Sequence, residues 1–310
     1  MNFLFLMDPL ESVIYEKDTT FILMVGAHRK GHKVFYLPDG GMTLVDGELQ
    51  FHAIEVIPDK NEDLPFIVKK SHYFSEDEID AVFIRTDPPF DQQYLLNTWL
   101  LDHVKTIPVI NSPNGIRTVN EKIWAMQFTS LVPKTLISRH RHELLDFLKD
   151  EKDIIAKPTD GHGGKGVFRV KKGDVNINVI FETLTNGFQR EIIVQKYIKE
   201  AQKGDKRILL LNGEPLGAVL RVHSKDDHRN NFFSGGKPAP AKITKRDLEI
   251  IRTLKPHLRK LGLYFVGIDI LGNYLTEVNV TSPTCLQEMN HLYKKHLEDK
   301  VISFVEKLCS

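Results

Sequence analysis

Residues 265–284 read FVGIDILGNYLTEVNVTSPT. Apolar runs flank Gly272-Asn273, a turn dipeptide, so the spacing predicts a β-hairpin. Side chains two apart on a strand share a face, which puts Glu277 and Asn279 on one side. Asp269 sits on the partner strand, near Glu277 in any register such a turn allows. Two carboxylates and an amide oxygen are hard donors. Mg²⁺ takes one or two carboxylates and completes its shell with water and substrate phosphates. The plainer alternative is that these three residues are the solvated face of the hairpin. Phe265, Val266, Ile268, Ile270, Leu275, Val278 and Val280 around them weigh for a central, buried hairpin, where a carboxylate needs a partner. The patch predicts a Mg–nucleotide site, and the rest of the chain has to supply its pocket.

The chain has 310 residues, enough for two or three lobes with substantial cores. Hydrophobic residues at 41% and charged residues at 27% are ordinary for a soluble globular protein. The formal net charge of +1 gives no general nucleic-acid or membrane surface. Cys285 and Cys309 are the only cysteines, too few for a disulfide framework, which fits a reducing cytosol. The N-terminal run Phe3–Met7 lacks a basic flank and stops at Asp8-Pro9, so it reads as a first strand. No run reaches the 18 or so apolar residues of a membrane span. The expectation is a cytoplasmic protein without a membrane or nucleic-acid partner.

The first third alternates strands and helices: strands near 2–7, 33–37, 81–85 and 109–110, helices over 19–29 and 91–103, and a hairpin turn at Asp46-Gly47. That order predicts an open α/β sheet whose ligands lie beyond the carboxyl ends of its strands, where Arg85 and Asp87 fall. Pro113-Asn114-Gly115 breaks the pattern and marks a boundary near 111–117. Thr118-x-x-Glu121 predicts a capping box opening a helix with Ile123, Trp124, Phe128 and Leu131 on its apolar side. Further on, the pattern predicts a helix over 141–148, strands at 153–157, 167–170 and 192–197, and a helix from the Thr244-x-x-Asp247 box to Gly262, kinked at Pro256. One amphipathic helix at about 291–308 closes the chain.

Gly161, Gly163 and Gly166 spell G-x-G-x-x-G, but a strand rather than a helix follows, so the dinucleotide fingerprint does not apply. A Walker loop is excluded because no Ser or Thr follows a Gly-Lys pair there. What remains is a flap between two strands. It is either a bare hairpin tip or a loop whose backbone N–H groups approach phosphates without an intervening Cβ. Two lysines weigh for the second reading. Lys157 ends the strand entering the flap after Ile154-Ile155-Ala156. Lys122, at the start of the expected helix, opposes that helix's dipole and gains nothing structurally. Cys285 lacks a basic neighbour or His that would activate it, which assigns it a structural role. His223 and His228 read as solvated residues of a polar loop.

Together, Lys122, Lys157 before a glycine flap, Gln195-Lys196-Tyr197-Ile198 and Asp269…Glu277-x-Asn279 resemble the ATP-grasp ligases. Within them the chain is similar to the bacterial glutathione synthetases, through MDPL at 7–10, RTDPPFD at 85–91, NEK at 120–122, KPTDGHGG at 157–164, GDKR at 204–207 and EVNVTSPT at 277–284. The resemblance implies an ATP-grasp α/β fold of three lobes: a Rossmann-like pre-ATP-grasp lobe over 1–117, a central lid lobe over 118–200 and a C-terminal lobe over 201–310. It implies ATP between two sheets, its adenine at Gln195, Lys196, Tyr197 and Ile198, and its phosphates at Lys122, Lys157 and the flap glycines Gly161, Gly163 and Gly164. Mg²⁺, or Mn²⁺ in its place, is implied at Asp269, Glu277 and Asn279. Asp205, Arg207, Arg221 and Arg229 would face peptide and acyl phosphate beside Ser282 and Thr284, with Arg85 and Asp87 near the peptide in the first lobe.

The activity implied is the ATP-dependent joining of γ-glutamylcysteine to glycine, by a homo-oligomer, a tetramer in the family. The chain departs from the family pattern at His162 and Lys165 in the flap, at Thr86, and over 223–234, where charged residues and Phe232-Phe233 replace small ones. That last departure is what keeps open a ligase with another amine acceptor. A nucleotide-binding protein without catalysis would predict damage to the metal patch or the lysines, and both are intact.

Overall fold

The computed structural model describes residues 1–59, 64–161, 163–222 and 236–310. The chain first lays down β1 (Asn2–Leu6), α1 (Thr19–Arg29), β2 (Lys33–Leu37), β3 (Met42–Val45), β4 (Glu48–Pro58), β5 (Phe66–Phe74), β6 (Ala81–Ile84), α2 (Gln92–Leu101), β7 (Val109–Ile110) and α3 (Pro113–Thr118). These strands form a seven-stranded sheet in the order β3-β4-β2-β1-β6-β7, with β5 on β4. β2, β1, β6 and β7 are parallel, and the β3, β4 and β5 pairings are antiparallel. The central strand β1 is apolar on both faces because elements cover both. Asp18 and Asp91 cap α1 and α2 by accepting from Phe21 N and Tyr94 N.

α3 stands where the sequence suggested a break in the pattern. Ser112 and Pro113 supply a cap and a first-turn proline, so the helix begins at the very Pro-Asn-Gly taken as a breaker. It ends at Thr118, whose hydroxyl donates to Asn114 O, and no helix opens there. Residues 121–123 are a turn and Trp124–Gln127 one 3₁₀ turn. The Glu121 side chain reaches residues 280 and 281 instead of closing a box.

A second, four-stranded antiparallel sheet follows, built from β8 (Thr135–Ser138), α4 (Arg141–Glu151), β9 (Asp153–Pro158), β10 (Phe168–Lys171), α5 (Ile177–Leu184) and β11 (Ile192–Lys196), in the order β10-β9-β11-β8. Its core is its own: Leu144, Leu148, Ile154, Ala156, Val170, Phe181, Ile192 and Val194. Because β9 alternates, burying Ile154 and Ala156 turns Ile155 and Lys157 to the other face.

The third sheet is β12 (Asp205–Leu211), β13 (Glu214–Val222), β14 (Lys237–Pro240), β15 (Phe265–Leu271) and β16 (Tyr274–Asn279), ordered β14-β13-β12-β15-β16, with α6 (Lys245–Lys260) before β15. α6 starts at the Thr244–Asp247 capping box and runs through Pro256. The closing segment is two helices, α7 (Leu286–Tyr293) and α8 (Leu297–Leu308), rather than one. Lys294 turns left-handed at φ 51°, and the Asn290 side chain accepts from Leu297 N to start the second helix. Two further core clusters each draw on the first and third sheets together. Among the described residues, no helix is long and apolar enough to cross a membrane.

α3 docks on the turn between α6 and β15, where Ser112 N donates to Gly262 O. A Cβ on Gly115 would lie 2.2 Å from Leu261 O and 3.0 Å from Leu263 Cδ2. Gly115→Ala is therefore expected to cost about 1–3 kcal/mol, seen as a lower thermal midpoint. An unchanged midpoint would show that this junction yields.

Candidate active site

A cleft of about 640 Å³ opens between the second and third sheets and meets the end of β6. Its third-sheet wall is a cross-strand row of charges. Arg207 on β12 lies directly opposite Asp269 on β15, which lies directly opposite Glu277 on β16. Asp205 on β12 faces Arg221 on β13. Arg207 grips Asp269 with Nε at 2.5 Å from Oδ1 and Nη2 at 2.8 Å from Oδ2. Arg221 forks onto Asp205 and also reaches Asp269 Oδ2 at 2.9 Å. Gly267 leaves room for this: a Cβ there would press at 3.1 Å on both Arg207 Cδ and Pro283 Cβ.

Burial alone would raise the Asp269 carboxyl, but Arg207 and Arg221 reverse that and hold it well below the usual carboxylate range. Asp205, sharing Arg221, is raised because burial outweighs its arginine. Both arginines stay charged, their ionisation favoured by the two carboxylates against burial.

Glu277 sits at the open end of the row, with Lys122 Nζ 3.5 Å and Lys157 Nζ 3.9 Å away. Burial lowers Lys157, and Glu277 offsets only part of it. For Lys122, Glu277 and Glu121 more than offset burial, so it is raised. Lys122 Nζ also donates to Gly161 O of the flap at 2.5 Å. Two buried ammonium groups thus share the Glu277 carboxylate, with the Glu121 carboxylate beside Lys122. Asn279 donates through Nδ2 to Gly267 O and Asp269 Oδ2, so Oδ1 is the atom it offers a cation. A carboxylate and an amide oxygen beside two phosphate-seeking lysines suit a hard divalent ion that arrives with its phosphates.

On the opposite wall, β9 and β10 form the arms of the glycine flap, with Phe168 paired to Ala156. Gly163, Gly164 and Gly166 take φ of 61°, 75° and 71°, a conformation that side chains rarely adopt. Gln195–Ile198 borders the cleft beside Ile155. Gln195 Nε2 donates to Thr135 Oγ1, and Tyr197 N to Asp153 O. The Tyr197 ring carries the Arg169 guanidinium at 3.7 Å, itself forked onto Asp153, so the segment has a rigid backing.

The cleft gathers Asp87, Lys122, Lys157, the three flap glycines, residues 195–198, Asp205, Arg207, Arg221, Asp269, Glu277, Asn279, Ser282 and Thr284. Arg85 is not in its wall. Buried behind it, Arg85 donates to Thr20 Oγ1 and to Pro283 O, and so supports the 282–284 turn from beneath. Arg229 and His162 lie outside the described residues. Sequence reasoning missed Glu121, Leu271 and Thr281 as lining residues. For Glu121 the signal was its place between two polar residues, Asn120 and Lys122, that both face the flap.

Cys285 is buried at φ 88° just before α7. Burial pushes its thiol up to about 11, against the pull of Arg207 and Arg221. The thiol is therefore protonated at neutral pH. Iodoacetamide at pH 8 should label Cys285 in the folded protein on the order of a hundredfold more slowly than an ordinary thiol. Labelling as fast as in the unfolded chain would contradict this environment.

Comparison with known proteins gives a consistent result. Residues 1–117 match the family described as prokaryotic glutathione synthetase, N-terminal domain, and residues 121–294 match prokaryotic glutathione synthetase, ATP-grasp domain. A glutathione synthetase of Gloeobacter violaceus is 40% identical over 98% of this chain and 96% of its own length. That of Escherichia coli K12 is 35% identical over 97% and 96%. Among solved structures, a D-cycloserine synthetase superposes with a TM-score of 0.69 at 15% identity, over 99% of each chain. An ATP-grasp ligase bound to a minimal precursor gives 0.66 at 13% identity, over 98% of each.

Proposed function

Because this chain belongs to the prokaryotic glutathione synthetase family, and is an ATP-dependent ligase that forms glutathione, we propose a role for each wall of its cleft. The single observation that carries the assignment is the convergence of Lys122, Lys157 and Glu277 at the open end of the Arg207–Asp269–Glu277 row.

In this reading adenine lies against Ile155 and Gln195–Ile198, and the phosphates meet Lys122, Lys157 and the N–H groups of the flap. Glu277 and Asn279 would hold Mg²⁺, or Mn²⁺ in its place, with Asp269 behind them, its two oxygens engaged by Arg207, Arg221 and Asn279. The ion neutralises phosphate charge when bound. The cysteinyl carboxylate of γ-glutamylcysteine is a poor electrophile at neutral pH. Transfer of the γ-phosphoryl group to it releases ADP and makes an acyl phosphate. The glycine amine attacks that carbonyl, the C–O bond to phosphate breaks, the amine gives up its proton, and tripeptide and phosphate leave. No protein nucleophile is required; Cys285, protonated and buried, does not serve as one. Arg207 and Arg221 supply fixed positive charge where the carboxylate and phosphoryl oxygens meet, and catalysis comes from positioning and charge neutralisation. Ser282 and Thr284, held from beneath by Arg85, border the peptide, with Asp87 at the first-sheet end.

The match to glutathione synthetases over nearly the whole chain does not favour another acceptor, and residues 223–234, which raised it, fall wholly outside the described structure. The homotetramer that the resemblance implies and the cytoplasmic location expected from the sequence are carried with this proposal.

ADP release should depend on ATP, a divalent ion, γ-glutamylcysteine and glycine together, with a tripeptide product by mass. Glu277→Ala should lower it by about a hundredfold or more with the thermal midpoint retained. Lys157→Ala should raise the KM for ATP. Near-normal turnover of Glu277→Ala would sink the metal assignment, and unchanged ATP dependence would remove Lys157 from the site.

A further inference from the structure

Asn120, Glu121 and Lys122 are consecutive, yet their side chains reach different segments. Asn120 Nδ2 donates to Thr159 O and Lys122 Nζ to Gly161 O, both at the flap. Glu121 turns to the strand end instead. Its Oε1 accepts from Val280 N at 2.9 Å, Thr281 N at 3.2 Å and Thr281 Oγ1 at 2.9 Å, and its backbone carbonyl accepts from Val278 N at 2.9 Å. Val280 O is taken in turn by Asn111 Nδ2 at 2.8 Å, so both backbone groups of Val280 are bound from outside the hairpin.

We propose that Glu121 is a positioning residue for the metal side of the site. It fixes the chain that carries Glu277 and Asn279 at a set distance from Lys122. β16 is the last strand of its sheet, with β15 on one side alone. Past Asn279 no strand pairing among the described residues holds the backbone. Without the Glu121 carboxylate, Val280 N and the two Thr281 groups lose a charge-assisted acceptor that supports that end. The geometry then makes one carboxylate set the spacing between the lysine that would meet phosphate and the oxygens that would meet the cation. This rests on the metal assignment proposed above, so the test must separate the two.

The experiment uses the full chain with a non-hydrolysable ATP analogue. Mn²⁺ binding is titrated by electron paramagnetic resonance, and hydrogen exchange is followed at Val280 and Thr281. Glu121→Ala should weaken Mn²⁺ binding about tenfold and speed exchange at both amides. Glu121→Gln keeps an oxygen acceptor but loses its charge, so it should fall between Glu121→Ala and the parent. Faster exchange with parental Mn²⁺ affinity, in a background where Glu277→Gln does weaken Mn²⁺, would make Glu121 a structural brace only and overturn the proposal. If Glu277→Gln leaves Mn²⁺ binding unchanged, the metal assignment fails and the proposal falls with it. Should Glu121→Ala not fold, Glu121→Gln decides: parental affinity in that variant overturns the positioning role.

Discussion

The structure turns on Asp269. An unpaired carboxylate in the middle of a buried strand costs several kcal/mol after relaxation, and losing one partner of a buried pair is strongly destabilising. Here Arg207 and Arg221 both meet it, and Asp205 in turn holds Arg221. Because Arg207 and Asp269 are directly cross-strand, a one-residue slip of β12 against β15 would turn Arg207 to the opposite face and strand Asp269. The network is neutral as a whole, so it leaves the electrostatics of the cleft to its rim. There Lys122, Lys157, Lys165 and Lys196 exceed Asp87, Glu121 and Glu277 by one positive charge. A neutral floor and a cationic rim draw an anionic nucleotide toward one end of the cleft.

The β15–β16 hairpin was legible because its period of two and its Gly-Asn turn agree, but the turn alone would set Asp269 opposite Thr276, and it is the irregularity between Asp269 and Ile270 that brings it opposite Glu277. The flap was legible because a strand follows the glycines. Other parts obeyed weaker signals. β12 begins Asp-Lys-Arg and β13 contains Pro215 and Gly217, so neither stood out as a strand, and the roles of Arg207 and Arg221 came from the family resemblance rather than from pattern. β5, largely exposed and carrying Lys69 and Lys70, lacks an apolar face to read. Two start signals competed near Pro113. The Ser112-Pro113 cap prevailed over the Thr118 box because Glu121 found stronger partners in Val280 and Thr281. The break at Lys294 has no Gly or Pro to announce it; the left-handed turn falls on a lysine. That Arg85 stands behind Pro283 rather than in the cleft wall becomes visible only once the sheets are assembled.

The two walls of the cleft differ in how they are held. The third sheet shares its apolar clusters with the first, so the Asp269 network stands on a common foundation. The second sheet packs its apolar residues against its own helices, α4 and α5. The flap and the Gln195–Ile198 segment therefore ride on a unit with an independent interior, and polar bonds such as Lys122 to Gly161 O span the gap between the walls.

That independence has a thermodynamic consequence. The temperature dependence of an opening equilibrium scales with the apolar surface it exposes to water. A rigid swing of the second sheet away from the third leaves its core covered, so opening carries a small heat-capacity change. What opening does break is contacts between polar groups at the rim, such as Lys122 to Gly161 O. The gap between the walls is thus held by those few polar bonds and not by shared apolar burial.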